Sequence, residues 1–369
     1  MKCRKMTTLL VIILTAFTIL SATTALSVNT IQSVSSLTLY SLECPAEARA
    51  YAESTFSRFL DSAAEDGSVT VGDQASLGTP FTILAEWPEV YYFPIVSYDA
   101  VIATYRVFKD IATDVYTGIL SVYLAKELNA LSDTADSLAA SKSENTVFLY
   151  NDNGNIMAQI NGNAFMLTPD PRGNLPELTS FDIQGYDVQK VKPLNLTATI
   201  DTTLLIQRVP NSYYIVTTSI VETQGSNSWC GAYVTAYCIR AAKSYASTPK
   251  ATTLMSIAYP NGYTTYDPFD TSDSVYAAKY HYSLNPTHAT SSLSVSTVHN
   301  QICVDKPVYM YIYNPDGVHA AAIRGYNAVN DTYSIWNPWN NYFETISNSS
   351  TTFNSCGYTY SWTESIYNW

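Results

Sequence analysis

The chain has 369 residues, with 31 Asp and Glu against 19 Lys and Arg and a net charge of −12. That acidity argues against nucleic acid and anionic membrane surfaces as partners, and the length exceeds one compact core of ordinary size, so two folded units after a leader are expected. Thirty tyrosines amid abundant Ser, Thr and Asn fit an extracellular, strand-rich protein but name no substrate.

The N-terminus reads as an export signal. Lys2, Arg4 and Lys5 form a basic start, Leu9 to Leu20 an apolar middle, and Ser21 to Ala25 a run of small residues for cleavage. Residues 1–25 are expected to be a signal peptide and the protein to be secreted. Left uncleaved, the uncharged stretch from Met6 to Thr30 is just long enough to anchor the chain in a membrane.

Pro45 to Ala64 places Ala50, Ala52, Phe56, Phe59 and Leu60 among charged residues, the pattern of an amphipathic helix. After Gly67 the chain is largely extended. Glu89 to Phe108 is rich in β-branched and aromatic residues and is split by Pro94, and VYTGILSVYLA follows. Asn145 to Leu167 reads as consecutive short strands turned at Asn153-Gly154 and near Gly162. An α+β unit, a helix on an antiparallel sheet, is expected over residues 26–205, with a linker and edge strands from Pro169 onward. Pro210 to Ile220 is a candidate first strand of a second domain, 206–369.

That second domain contains QGSNSWCGAY, Gln224 to Tyr233, followed by a Pro-free, Ala-rich run with Arg240 and Lys243 toward its end. Cys230 thus opens a predicted helix, where unpaired N–H groups and the helix dipole favour a thiolate. The carboxamide of Gln224 and the Cys230 N–H would supply two donors for a developing oxyanion. A thiolate needs a base, and only His281, His288, His299 and His319 are present. The first three lie in polar or linking stretches. His319 opens an apolar strand entered from the turn Asn314–Gly317 and leaving through NAVND into TYSIWNPW, which brings it beside Asn337. The Asn337 amide oxygen would then orient the imidazole, and Trp339 would shield that bond from water.

With Cys3 in the leader and Cys230 kept free, Cys44, Cys238, Cys303 and Cys356 allow two disulfides, one or none. No Cys-x-x-Cys or paired histidines suggest zinc. Asp267, Asp270 and Asp273 hint only weakly at calcium, an acidic surface loop being the simpler reading. No metal or organic cofactor is expected.

Nucleophile, base, orienter and oxyanion donor together resemble the papain-type cysteine proteases, and ETQGSNSWCGAY, HAAAIRGYNA, IWNPWNNYF and the closing SWTESIYNW are similar to the staphopain family of secreted thiol proteases. The order Gly231-Ala232 after the cysteine departs from relatives that often carry the small pair the other way round. The resemblance implies a two-lobed papain-like domain with Cys230 as nucleophile, His319 as acid/base, Asn337 as orienter and Gln224 in the oxyanion hole, acting on protein or peptide substrates. By layout, residues 26–205 are similar to a cystatin-like pro-domain, an intramolecular inhibitor of a zymogen, with activation cleavage between Leu205 and Glu222. The alternatives are an acyl transferase of the same fold, for which an aspartate orienter would be usual, a leader-processing peptidase, and a non-catalytic secreted binding protein.

Overall fold

A computed structural model describes residues 37–86, 89–139, 147–178, 180–202, 213–355 and 357–369. The expected signal peptide, residues 205–212 of the expected activation segment, and Cys356 lie outside them. Among the described residues no helix is long and apolar enough to cross a membrane.

Strand β1 (Leu39–Leu42) leads into helix α1 (Ala46–Glu65), entered at Pro45, whose missing N–H costs nothing at a helix start. Ala48, Ala52, Phe56, Phe59 and Ala63 recur at helical spacing and are buried. They pack with Phe93, Tyr105 and Leu120 of the sheet formed by β2 (Gln74–Gly78), β3 (Phe81–Thr82), β4 (Tyr91–Ser97), β5 (Ala100–Lys109) and β6 (Tyr116–Ser121). Pro94 does not split the extended run. It sits within β4 opposite Thr104, and a register shift just beyond it, between Ile95 and Val96, lets the strand continue past a residue with no N–H to donate.

A second helix, α2 (Ala125–Ala139), replaces part of the expected extended region. Leu124, at φ +60°, breaks the chain direction, and Leu128 and Leu131 turn inward on a segment of good helix formers. The three strands β7 (Val147–Asp152), β8 (Asn155–Ile160) and β9 (Asn163–Thr168) form the expected meander. Both turns have two residues at positive φ, Asn153-Gly154 (55°, 86°) and Asn161-Gly162 (50°, 83°), the geometry whose twist suits tight hairpins. Strands β10 (Val188–Val191) and β11 (Leu196–Asp201) pair with β1 and β2.

The C-terminal part starts at β12 (Tyr213–Ile215). Three helices follow, α3 (Cys230–Lys243), α4 (Ala251–Ala258) and α5 (Thr271–Tyr282), then β13 (Thr287–Ala289) and α6 (Val295–Ile302). Six strands close the chain: β14 (Val308–Asn314), β15 (Gly317–Asn327), β16 (Thr332–Trp336), β17 (Phe343–Ser347), β18 (Thr352–Ser355) and β19 (Tyr358–Tyr367). The fold is mixed α and β, with α3 to α5 packed on one face of β14, β15 and β19 around Tyr237, Tyr309, Ala320, Ala322 and Trp336.

The principal sheet runs through both parts of the chain. Its path is β11-β2-β4-β5-β6-β17-β16-β15-β14-β19-β13, and the junction is antiparallel pairing of Ile119 and Leu120 with Ile346 and Thr345. Polar side chains fasten the same junction. Asp61 accepts from Asn330 Nδ2 (2.6 Å), Glu65 from Asn327 Nδ2 (3.0 Å), and Asp66 pairs with Arg324 (3.2 Å). Arg106, fully buried, pairs with the equally buried Glu344 and donates to the Asn354 carbonyl (3.0 Å). Asp110 accepts from the N–H groups of Thr351 and Thr352, both at 3.0 Å.

Glu86 adds a proton to this junction. Tyr92 donates to both its carboxylate oxygens (2.8 and 3.0 Å), but burial dominates and pushes Glu86 from 4.5 up to about 8, with the Tyr92 bond and the Arg106 charge opposing. Between those values the folded chain holds a proton that the unfolded chain has lost. This stabilising contribution is full below about pH 4.5 and disappears as the pH rises toward about 8. The thermal unfolding midpoint should fall from about pH 5 to about pH 8 in a way that Glu86→Gln flattens. Parallel profiles for parent and variant would contradict this.

Candidate active site

Cys230 is the first residue of α3, as the sequence predicts. The helix forms because its residues are Ala-rich and free of Gly and Pro beyond Gly231. It ends where Ser244 takes a left-handed conformation, with Arg240 and Lys243 in the last turn beside the negative end of the dipole. Gly231 is dictated by space. A Cβ there would lie 2.0 Å from the Phe269 carbonyl oxygen, so the glycine must directly follow the cysteine. Gly231→Ala is therefore expected to cost about 1–3 kcal/mol by overpacking. A chemical denaturation midpoint equal to the parent's would refute that.

His319 lies near the start of β15, and the two-residue turn Pro315-Asp316 pairs it with Ile312 of β14. The turn from Asn327 to Thr332 returns the chain along β16, which ends at Trp336, so Asn337 emerges beside His319. His319 Nε2 donates to Asn337 Oδ1 (2.8 Å), and both residues are buried. The Trp339 ring stacks on the imidazole with centroids 3.7 Å apart and planes 14° apart. Tyr360 flanks the ring at 5.9 Å. The Cys230 sulfur rests against the backbone N–H groups of Gly231, Ala320 and Cys230 itself, and Ala320 is the neighbour of His319.

Gln224 is buried close by, its N–H donating to the Pro338 carbonyl (2.7 Å) and its side-chain Nε2 to the Asn227 carbonyl. Of the four residues singled out by sequence, His319 is bonded to Asn337, Cys230 sulfur meets the N–H of Ala320 next to His319, and Gln224 N–H meets the carbonyl of Pro338 next to Asn337. One Nε2 hydrogen of Gln224 is committed to Asn227, which leaves the other available, and Oε1 is buried without a partner.

The electrostatics depart from the sequence expectation of a readily ionised thiol. Burial pushes the Cys230 thiol up to about 11, and the three N–H groups around the sulfur only partly oppose it. Burial likewise lowers His319 to about 4. The Asn337 bond favours its charged form, while the Arg172 charge disfavours it. Desolvation outweighs the helix start, and between these values the proton stays on sulfur.

Arg172 was read as part of a linker, and its position was not legible from Pro169 onward. The segment turns at Asp170, whose carboxylate accepts from the Arg172 N–H (3.0 Å). Asn155 and Asn153 of the β7–β8 hairpin hold the Asn174 and Leu175 carbonyls. Gly173 then lies so close to the nucleophile loop that a Cβ would fall 2.6 Å from Ser226 Cβ. The Arg172 guanidinium sits 3.6 Å above the Tyr358 ring. Beside it opens a cleft of about 890 Å³ lined by Asn153, Asn174, Tyr313, Asp316 and Tyr358.

The remaining candidates have structural duties. Asp270 and Asp273 form a capping box at the start of α5, and Asp267 accepts from Thr264 N–H (2.5 Å). Among the described residues no group of three or more His, Cys, Asp and Glu is placed to hold a metal ion. His281 and His299 end helices, and His288 on β13 pairs with Glu364 (2.7 Å). Cys44, Cys230, Cys238 and Cys303 are free thiols.

Comparison with curated protein sequences returned no match. A comparison with protein-family models matched residues 213–369 to the family described as Staphopain peptidase C47.

Proposed function

We propose that residues 213–369, a staphopain-like cysteine peptidase domain and hence a hydrolase of peptide bonds, work through Cys230, His319, Asn337 and Gln224. In this reading His319 takes the thiol proton and Cys230 sulfur bonds to the substrate carbonyl carbon. The carbonyl oxygen gains charge and is met by the Cys230 N–H and the free Nε2 hydrogen of Gln224. His319 returns the proton to the leaving amine, then draws one from water as it attacks the acyl-enzyme, which restores the thiol. The observation that carries the reading is the His319–Asn337 bond beneath Trp339, beside a cysteine held at a helix start.

The N-terminal region is proposed to keep the site silent in a secreted zymogen. Supporting this, Gly173 lies against the nucleophile loop and the Arg172 charge disfavours a charged imidazole, so the ion pair that attack requires is suppressed. Removing this segment would take the Arg172 charge away from the imidazole.

An intact-mass time course of the full-length protein under reducing conditions, beside Cys230→Ala, tests the proposal. Shortening of the parent alone, to a C-terminal fragment beginning between residues 205 and 222, is expected. A Cys230→Ala chain that shortens at the parent's rate would defeat the assignment.

A further inference from the structure

We propose that Ser355 is a positioning residue for hydrolysis at Cys230: its hydroxyl accepts an Asn337 Nδ2 hydrogen and so sets which imidazole nitrogen of His319 is left for the thiol. The inference rests on the peptidase reading of the site.

The Asn337 amide has two unlike ends, and each is tied. Trp339 N–H donates to Oδ1 (3.1 Å), and Nδ2 donates to Ser355 Oγ. The Trp339 N–H can only donate and so fixes Oδ1, Ser355 Oγ takes the Nδ2 hydrogen in that orientation, and with the oxygen facing His319 Nε2 carries the ring proton and Nδ1 keeps its lone pair. With the amide reversed, an N–H would face Nε2, and the ring proton would move to Nδ1. A ring protonated there has no lone pair with which to take the thiol proton. In the serine-protease case, a wrongly held tautomer costs several powers of ten in rate.

Burial makes the orientation depend on protein groups. Asn337 is fully buried and Ser355 is 1% exposed, which leaves no room for solvent to replace the hydroxyl. Ser355 is also well anchored. It ends β18, opposite Tyr358 of β19, in a hairpin that Arg106 grips at the Asn354 carbonyl and that also carries Tyr360 beside the His319 ring. No local pattern points to Ser355, which lies 18 residues from Asn337 at the end of another strand hairpin.

The test uses the full-length protein labelled with nitrogen-15 histidine, whose 4 imidazoles are few enough to assign, together with peptide hydrolysis after activation. The parent should show His319 protonated at Nε2. Ser355→Ala should move part of the population to Nδ1–H and lower kcat on the order of tenfold with KM unchanged. Ser355→Thr, which keeps the hydroxyl, should restore both. In an Asn337→Asp background, where two equivalent oxygens make orientation immaterial, Ser355→Ala should have little further effect. Unaltered tautomer and kcat in Ser355→Ala, or an equal loss in the Ala and Thr variants, would overturn the proposal. A parent that hydrolyses no peptide while Ser355 still governs the tautomer would overturn the peptidase reading and uphold the hold of Ser355 on His319.

Discussion

Cys230→Ala is expected to lower casein hydrolysis at least about 10⁴-fold, with the N-terminal piece of parent and variant both digested away by an added protease before assay. The sulfur is the only group in the site that can form the covalent bond. What remains, the oxyanion donors and substrate binding, accounts for the modest residual rate typical of a triad enzyme without its nucleophile. His319→Ala should be nearly as damaging, and the double variant little worse than either, because the pair acts as one unit. Cys230→Ala removes one heavy atom at the first residue of α3, so the fold should survive, and a near-parental unfolding midpoint is the control. Retention of a tenth of the activity would place the nucleophile elsewhere. Among the described thiols no rival is well placed, since Cys44 and Cys238 are packed inside hydrophobic clusters and Cys303 closes α6 instead of opening a helix.

Arg106→Ala should be the most destabilising single change at the junction, about 3–5 kcal/mol, because it strands a Glu344 carboxylate that is only 1% exposed. Burial already raises Glu344 above its ordinary value, and the Arg106 charge is the principal opposing influence. Loss of the guanidinium also abandons the Asn354 carbonyl and the face of Tyr123. Replacing both partners, Arg106→Met with Glu344→Leu, removes the stranded charge and should recover most of the loss. Urea unfolding of the four proteins checks this. An Arg106→Ala midpoint within error of the parent would show that the pair contributes little.

What the sequence made legible was local. The helix from Cys230, the turn before His319, the return along β16 to Asn337 and the two Asn-Gly hairpins each depend on spacings of a few residues, and all are present. Properties set by distant packing were not legible. Asp61 falls among the charged residues of the expected helix and Glu65 and Asp66 lie just beyond its expected end, yet they bind Asn330, Asn327 and Arg324. A buried, satisfied carboxylate and an exposed one have the same letter. For the same reason the thiol was expected to ionise easily from its place at a helix start, whereas burial, which a spacing pattern does not report, dominates. The helix α2 was missed because the aromatic and β-branched run before it suggested continued extension.

The pairing of β6 with β17 makes cutting the chain and parting its halves two different events. A single break within residues 203–212 removes no sheet hydrogen bond at the junction and none of the side-chain ties of Asp61, Asp66, Arg106 or Asp110. The nicked halves would stay together as a non-covalent complex, and the appearance of activity would follow dissociation or digestion of the N-terminal piece. Departure of that piece would leave β17 as a bare edge carrying an unpaired Glu344. Such an edge invites pairing with another chain, and the freed charge is a natural guard against it.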